Sequence, residues 1–286
     1  MKAAMFELSL SAMLLSVCVS VASVTADAQT KKLRLGVEGA YPPFSELGPD
    51  GKLKGWEIEI ADALCKQMKA ECSLVQLSFD GMIPALQSRK IDAVIASMSI
   101  TQERKRAVDF SDKYYKTPAR FVVKNGVKLD ISPAGLKGKR IGVQRATIFD
   151  RFLADQFKDV QVVRYAKQDE VYLDLASGRI DAALQDVVAA QEGFLKTPQG
   201  KSFGFTGPSY VDAKYFGEGA GVAFRKGDTA LREDFNRAIA AIRANGAYQK
   251  IQDVYFNFDI YGAPPASSAP AAVAAPAAAP AAAAKK

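Results

Sequence analysis

Hydrophobic residues fall into two alternating patterns along the chain. Short apolar runs at 33–37, 74–77 and 93–96 each end in a polar or glycine-bearing loop and predict buried strands. Between them, Ile60, Leu64 and Met68 recur every fourth position with Ala61 and Cys65 beside them, which predicts an amphipathic helix over 57–69. A second helix is expected over 82–88, and a short strand containing Trp56 after the turn Pro49-Asp50-Gly51. Strand, helix, strand, helix, strand is the order of an α/β unit with a parallel sheet. Past the third strand a polar loop, Ser97-Met98-Ser99, leads into a helix expected to open at Thr101 as its cap.

The pattern then starts again. Lys139-Arg140-Ile141-Gly142-Val143 echoes Leu33-Arg34-Leu35-Gly36-Val37, and the run from Leu175 to Ala182 echoes that from Leu86 to Ala93. Two matches in the same order indicate two lobes built on one plan. Asp92 and Asp181 fall in corresponding helix-to-strand turns and are read as structural. A last helix, capped by Asp228 and ended by Gly246, carries the stripe Leu231, Phe235, Ile239 and Ile242. With no partner in the second lobe, it implies a return to the first. Crossings are expected near 115–120 and 217–223, making a hinge with a cleft between lobes.

Composition narrows the setting. Of the 286 residues, 1–28 read as a cleaved signal peptide, with Lys2, an apolar run over 8–24 that takes in Cys18, and Ala26-Asp27-Ala28. Residues 263–286 are almost entirely alanine and proline and are read as a disordered tail. Cys65 and Cys72 would then meet an oxidising compartment, where a disulfide is the default. A straight helix would hold them about 10 Å apart, so the helix must end between them, near Lys69-Ala70. The net charge is +7, but the basic residues are scattered, which argues for a solvated surface and against nucleic acid. There is no histidine. That excludes histidine-based triads and histidine metal sites together. Gly217-Glu218-Gly219-Ala220-Gly221 lacks dinucleotide-loop spacing and is read as a flexible crossover.

Loops beyond the carboxyl ends of strands in open α/β sheets are where small ligands bind. Those loops carry Glu38, Tyr41, Phe79, Ala96, Ser97, Ser99, Arg104, Arg145, Thr147 and Asp186. Arg104, in the first turn after Thr101, would sit at the positive end of a helix dipole, where a cation is favourable only opposite an anion. Its planar fork beside two serines suits a carboxylate. Asp186 suits an ammonium and can also cap the helix that follows it. Glu38, with Tyr41 and Phe79, suits a side chain carrying a second positive charge.

The motifs Glu38-Gly39-Ala40-Tyr41-Pro42-Pro43-Phe44, Gly55-Trp56-Glu57-Ile58-Glu59-Ile60, Cys65 with Cys72, Ser97-Met98-Ser99-Ile100-Thr101-Gln102-Glu103-Arg104 and Asp181-Ala182-Ala183-Leu184-Gln185-Asp186 resemble the periplasmic amino-acid-binding proteins of ABC importers. The resemblance is to the lysine/arginine/ornithine and histidine group of solute-binding family 3, and it runs from Leu33 to Tyr261. It implies a two-lobed type II periplasmic-binding-protein fold of two open, mainly parallel sheets joined by a two-crossover hinge. Lobe one would comprise 29–117 and 221–262, and lobe two 118–220. Arg104, Ser97, Ser99 and Thr147 would hold an α-carboxylate, and Ser99 would share the ammonium with Asp186. Tyr41 and Phe79 would stack on the side chain, Glu38 would meet its distal cation, and Cys65–Cys72 would match a family disulfide. No cofactor, metal or catalytic residue is implied. The expected partners are a basic L-amino acid (arginine, lysine, ornithine or histidine), an inner-membrane permease and, optionally, a chemoreceptor. The chain would be a periplasmic monomer.

Three departures bear on the ligand. Glu38 replaces a commoner aspartate, and Glu38-Gly39-Ala40-Tyr41 looks closer to the opine-binding branch; Ala96 replaces a serine, and Arg145-Ala146 replaces a pair ending in glycine. Arg145 could oppose a cation or grip the second carboxylate of an opine, so an opine receptor is the alternative within the class. An exported cyclohexadienyl- or arogenate-dehydratase-like enzyme is the alternative outside it.

Overall fold

The computed structural model describes residues 30–262, so the expected signal peptide and the Ala/Pro tail lie outside the described residues. In chain order the strands are β1 (Lys32–Val37), β2 (Ala40–Tyr41), β3 (Ser45–Leu47), β4 (Leu53–Lys54), β5 (Glu71–Gln76), β6 (Ala93–Val94), β7 (Val108–Tyr115), β8 (Ala119–Lys124), β9 (Arg140–Gln144), β10 (Gln161–Tyr165), β11 (Ala182–Asp186), β12 (Phe203–Tyr210) and β13 (Ala220–Arg225). The helices are α1 (Trp56–Gln67), α2 (Met82–Gln87), α3 (Ile148–Gln156), α4 (Gln168–Ala176), α5 (Val187–Ala190), α6 (Ala213–Phe216), α7 (Thr229–Ala244) and α8 (Ala247–Tyr255).

Two five-stranded sheets form, ordered β5-β1-β6-β13-β7 and β10-β9-β11-β8-β12. Within each, the first three strands are parallel and the last two antiparallel to their neighbours. The fourth position in each sheet belongs to a strand adjoining a crossover: β8 just after residues 116–118, and β13 just after 217–219. Each sheet is covered on both faces. One face of the first packs on α1, α7 and α8 around Trp56, Leu64, Phe224 and Phe235; the other packs on Met82, Leu86 and Ile91. In the second sheet Phe121, Leu153 and Leu184 lie on one side, and Val122, Tyr172 and Phe194 on the other. The arrangement is that of the two-lobed, mixed α/β periplasmic-binding-protein fold.

The internal repeat is visible atom by atom. Asp92 accepts the Arg34 N–H at 3.0 Å and returns its own N–H to the Arg34 carbonyl at 2.8 Å. Asp181 does the same with Arg140, at 2.7 and 2.8 Å. Gly36 and Gly142 are equivalent close approaches, because an added Cβ would strike Ile91 Cδ1 in one lobe and Ile180 Cδ1 in the other.

Several expectations are corrected. Trp56 opens α1 and does not belong to a strand: its N–H and that of Glu57 donate to the Pro43 and Phe44 carbonyls, each at 2.9 Å, so backbone from the preceding loop starts the helix. No α-helix opens at Thr101. Its hydroxyl does accept the Arg104 N–H at 3.2 Å, but only a 3-10 turn, Arg104–Arg106, follows before β7. The dipole argument for Arg104 therefore falls. Asp228 precedes α7 without a side-chain cap bond, and Gly246, with φ of 79°, separates α7 from α8. The 217–221 crossover is not loose either. Ile100 N–H donates to the Gly219 carbonyl at 2.8 Å, and Gly221 N–H to the Met98 carbonyl at 3.1 Å.

Helix α1 ends at Gln67, and Lys69 turns the chain with φ of 52°. Cys65 and Cys72 come within 6.2 Å at Cα and form a disulfide. Closing so short a loop contributes about 2–3 kcal/mol. Replacing both cysteines with serine is expected to lower unfolding stability by about that amount in a denaturant titration, leaving ligand affinity in place, because neither residue reaches the cleft.

Candidate functional site

The two lobes meet around a cleft whose walls include Glu38, Tyr41, Phe79, Ala96, Ser97, Ser99, Arg104, Thr147 and Asp186. Every site residue expected from the sequence is among them except Arg145. That guanidinium forms an ion pair with Asp80 at 2.6 Å, a half-exposed contact spanning the lobes.

Arg104 is held from both sides. Its Nη1 donates to the Ser99 carbonyl at 3.0 Å on its own lobe, and its Nη2 to the Ala146 carbonyl at 3.1 Å on the other. Its guanidinium lies over the Phe79 ring, 5.3 Å from the centroid. Burial lowers its pKa to about 10, still leaving it charged at neutral pH, with Glu103 opposing the shift.

Asp186 ends β11 and caps α5, its Oδ1 accepting the Val188 and Ala189 N–H groups at 2.8 and 2.9 Å. Its Oδ2 takes the Thr117 hydroxyl, which arrives from the crossover. Burial pushes its carboxyl up to about 6 against those three bonds. Glu38 follows β1 and accepts the Gln144 amide from the opposite lobe. Burial raises it to about 7, partly offset by Gln144, while Glu57 and Asp169 add to the rise and Lys167 opposes it. Among the described residues, none of Arg104, Asp186 and Glu38 has an oppositely charged side chain within ion-pair distance.

Thr147 caps α3, so its hydroxyl is committed: it accepts the Asp150 N–H at 3.3 Å and donates to the Gln144 carbonyl at 2.7 Å. What this corner offers an anion is the open N-terminal turn of α3. Tyr41 stacks on Phe44 at 5.7 Å and reaches Gln185 Oε1 across the cleft at 3.4 Å. The two aromatics thus bracket the cleft from different supports, Phe79 under Arg104 and Tyr41 beside Glu38.

Sequence reasoning missed Gln144 as the partner of Glu38, Thr117 as that of Asp186, and Tyr115 as a cleft wall. It also missed Glu57, which lies behind Ser97. The available signal for Gln144 and Thr117 was their place at a strand end and a crossover. Glu57 reads from sequence as an ordinary acid in a helix's first turn.

Residues 33–258 match bacterial extracellular solute-binding proteins, family 3. The chain belongs to that family. Over 254 residues, 88% of this chain and 98% of the relative, it is 52% identical to the L-arginine-binding protein of Pseudomonas aeruginosa. It is 43% identical over 256 residues to the lysine/arginine/ornithine-binding periplasmic protein of Escherichia coli, covering 89% and 98% of the two chains. Among solved structures, a Salmonella typhimurium periplasmic binding protein described for its high arginine specificity matches with a TM-score of 0.73 at 33% identity, covering 80% of this chain and 100% of that one. An ancestral arginine-binding protein bound to arginine matches with a TM-score of 0.73 at 37% identity, covering 79% and 98%.

Proposed function

We propose that this family member is a periplasmic receptor that captures a basic L-amino acid, arginine foremost, between its lobes and hands it to an inner-membrane ABC permease. The observation carrying this reading is the set of three charges without charged partners. Arg104 complements an α-carboxylate, Asp186 an α-ammonium, and Glu38 a distal cation. The relatives named above bind such ligands. Residues 29–117 and 221–262 would move as one lobe against 118–220, closing because only the closed form touches the ligand from both sides. Ser99 lies beside Arg104 at the carboxylate end, and the first turn of α3 supplies further donors there.

A thermal-shift screen of arginine, lysine, ornithine, histidine, octopine and nopaline tests the assignment. Arginine, lysine and ornithine are expected to raise the melting temperature; a screen in which none does so overturns it. The opine alternative rests on the Glu38-Gly39-Ala40-Tyr41 run and on Arg145 as the grip for a second carboxylate; that guanidinium is paired with Asp80 outside the cleft, so octopine and nopaline are expected to give no shift.

The dehydratase alternative draws on one feature, a Glu38 carboxyl near neutrality that could serve as an acid or base. As a cation's partner Glu38 should instead show ligand selectivity. Glu38→Gln is expected to weaken arginine binding about ten- to hundredfold while changing citrulline binding little, read by calorimetry. Equal losses for both would remove Glu38 from the distal-cation role. Conversion of prephenate or arogenate by the purified protein would establish the enzyme instead.

A further inference from the structure

Behind the Ser97 loop lies a carboxylate that the binding scheme leaves unused. Glu57, in the first turn of α1, is buried and forms no wall of the cleft. Its Oε1 accepts the Ser97 N–H at 2.6 Å, the Ser97 hydroxyl at 3.1 Å and the Tyr114 hydroxyl. The Tyr114 ring is fixed in turn by stacking on Trp56 at 6.2 Å. Burying a carboxylate without a cation is costly, and here burial lifts the group to about 7 despite its bonds to Tyr114 and Ser97. The helix dipole does not require this placement, since Glu59 on the same turn is exposed and serves it equally well.

What Glu57 holds is a strained backbone. Ser97 has φ of 53°, in the left-handed region that non-glycine residues seldom adopt. The far side of the loop is tied to the 219–221 crossover through Met98 and Ile100. Glu57 is the clamp on the near side.

Proton counting then assigns a polarity. Glu57 Oε1 accepts from all three donors, so the single hydroxyl proton of Ser97 points at Glu57. Toward the cleft Ser97 Oγ keeps lone pairs alone. The repeat places Asp186 at the position equivalent to Ser97, five residues past Asp181 as Ser97 is five past Asp92, and Asp186 too is an acceptor there. We infer that Glu57 is the positioning residue of the ligand anchor, and that through it Ser97 Oγ meets the ligand as an acceptor for the α-ammonium shared with Asp186, not as a donor to the α-carboxylate. The inference rests on the amino-acid-binding reading above.

Glu57→Leu tests it. The apolar side chain of the variant accepts nothing and releases the serine proton toward the cleft, so that Ser97 Oγ can donate there. Calorimetry would compare arginine, agmatine (which lacks the carboxylate) and desamino-arginine (which lacks the ammonium). Arginine and agmatine are expected to bind about tenfold or more weakly to the variant, and desamino-arginine within about twofold of wild type. Ser97→Ala should reproduce that pattern, and the double variant should lose little beyond Ser97→Ala alone. Unchanged arginine affinity, or equal losses for all three ligands, would overturn the inference. Should Glu57→Leu not yield folded protein, Ser97→Ala decides the same point: a loss confined to ligands bearing the ammonium supports it, and one confined to ligands bearing the carboxylate overturns it. Wild-type protein that binds none of the three overturns the amino-acid reading and this inference with it, a result distinct from either variant pattern.

Discussion

Arg104→Ala is expected to reduce arginine affinity by about 3–5 kcal/mol, roughly a hundred- to several-thousandfold. The substitution leaves a ligand carboxylate buried opposite no cation, and an unpaired buried charge costs far more than a lost surface ion pair. It also removes the hydrogen bond to the Ala146 carbonyl, one of the contacts that join the lobes. Arg104→Lys should recover only part of the loss, because a point charge cannot grip the Ser99 and Ala146 carbonyls and a carboxylate together. Agmatine separates the two contributions. Lacking the carboxylate, it should lose only the closure term in Arg104→Ala. Calorimetry showing near-wild-type arginine affinity in the variant would remove Arg104 from the carboxylate role.

Much of the fold was legible because the repeat is written twice. The Arg34–Asp92 and Arg140–Asp181 pairs and the glycines at 36 and 142 serve one purpose in each lobe, so local sequence carried them. The antiparallel strands β7, β8 and β12 were not predicted. Phe121, Val122 and Val123 follow one another in β8 and are all buried, so both faces are covered and no alternation is left to read. The missing helix at Thr101 has a similar cause. A cap residue there made a sound local signal, but β7 begins within a turn and claims the chain for the sheet edge.

The site was legible to the extent that single residues announce their chemistry. Arg104, Asp186 and Glu38 were readable as candidates for the cleft wall because they fall at or beyond the carboxyl ends of strands, where open α/β sheets bind ligands. The use of the Thr147 hydroxyl in the α3 cap could not be read from the sequence, because that bond depends on backbone geometry, not residue type. Arg145 was misplaced because its partner, Asp80, lies in the other lobe, 65 positions away. Glu57 could not have been separated from Glu59 by local pattern. Only the arrival of Tyr114 and the Ser97 loop over one of them makes it different.

Acidity offers the second large effect. Burial holds Glu38 at about 7 and Asp186 at about 6 in the unliganded protein, with no cationic side chain within ion-pair distance of either among the described residues. A dicationic ligand binds their ionised forms, so binding below those values must first remove protons. Arginine affinity is therefore expected to level off near pH 8, where the ligand ammonium still carries its proton, and to fall by about a thousandfold between pH 8 and pH 5, about a hundredfold from Glu38 and tenfold from Asp186. Unfolding of the unliganded protein should run the other way. Both groups, and Glu57 with them, have folded pKa values raised above the unfolded ones, so the folded state binds more protons over this range and their contribution to stability rises as pH falls. Melting curves with and without arginine from pH 8 to pH 5 would show the ligand-induced shift shrinking while the unliganded midpoint climbs. Glu38→Gln should abolish the larger part of the affinity slope and leave the slope due to Asp186. An affinity that is level across the range would mean that neither carboxylate faces a cation of the ligand.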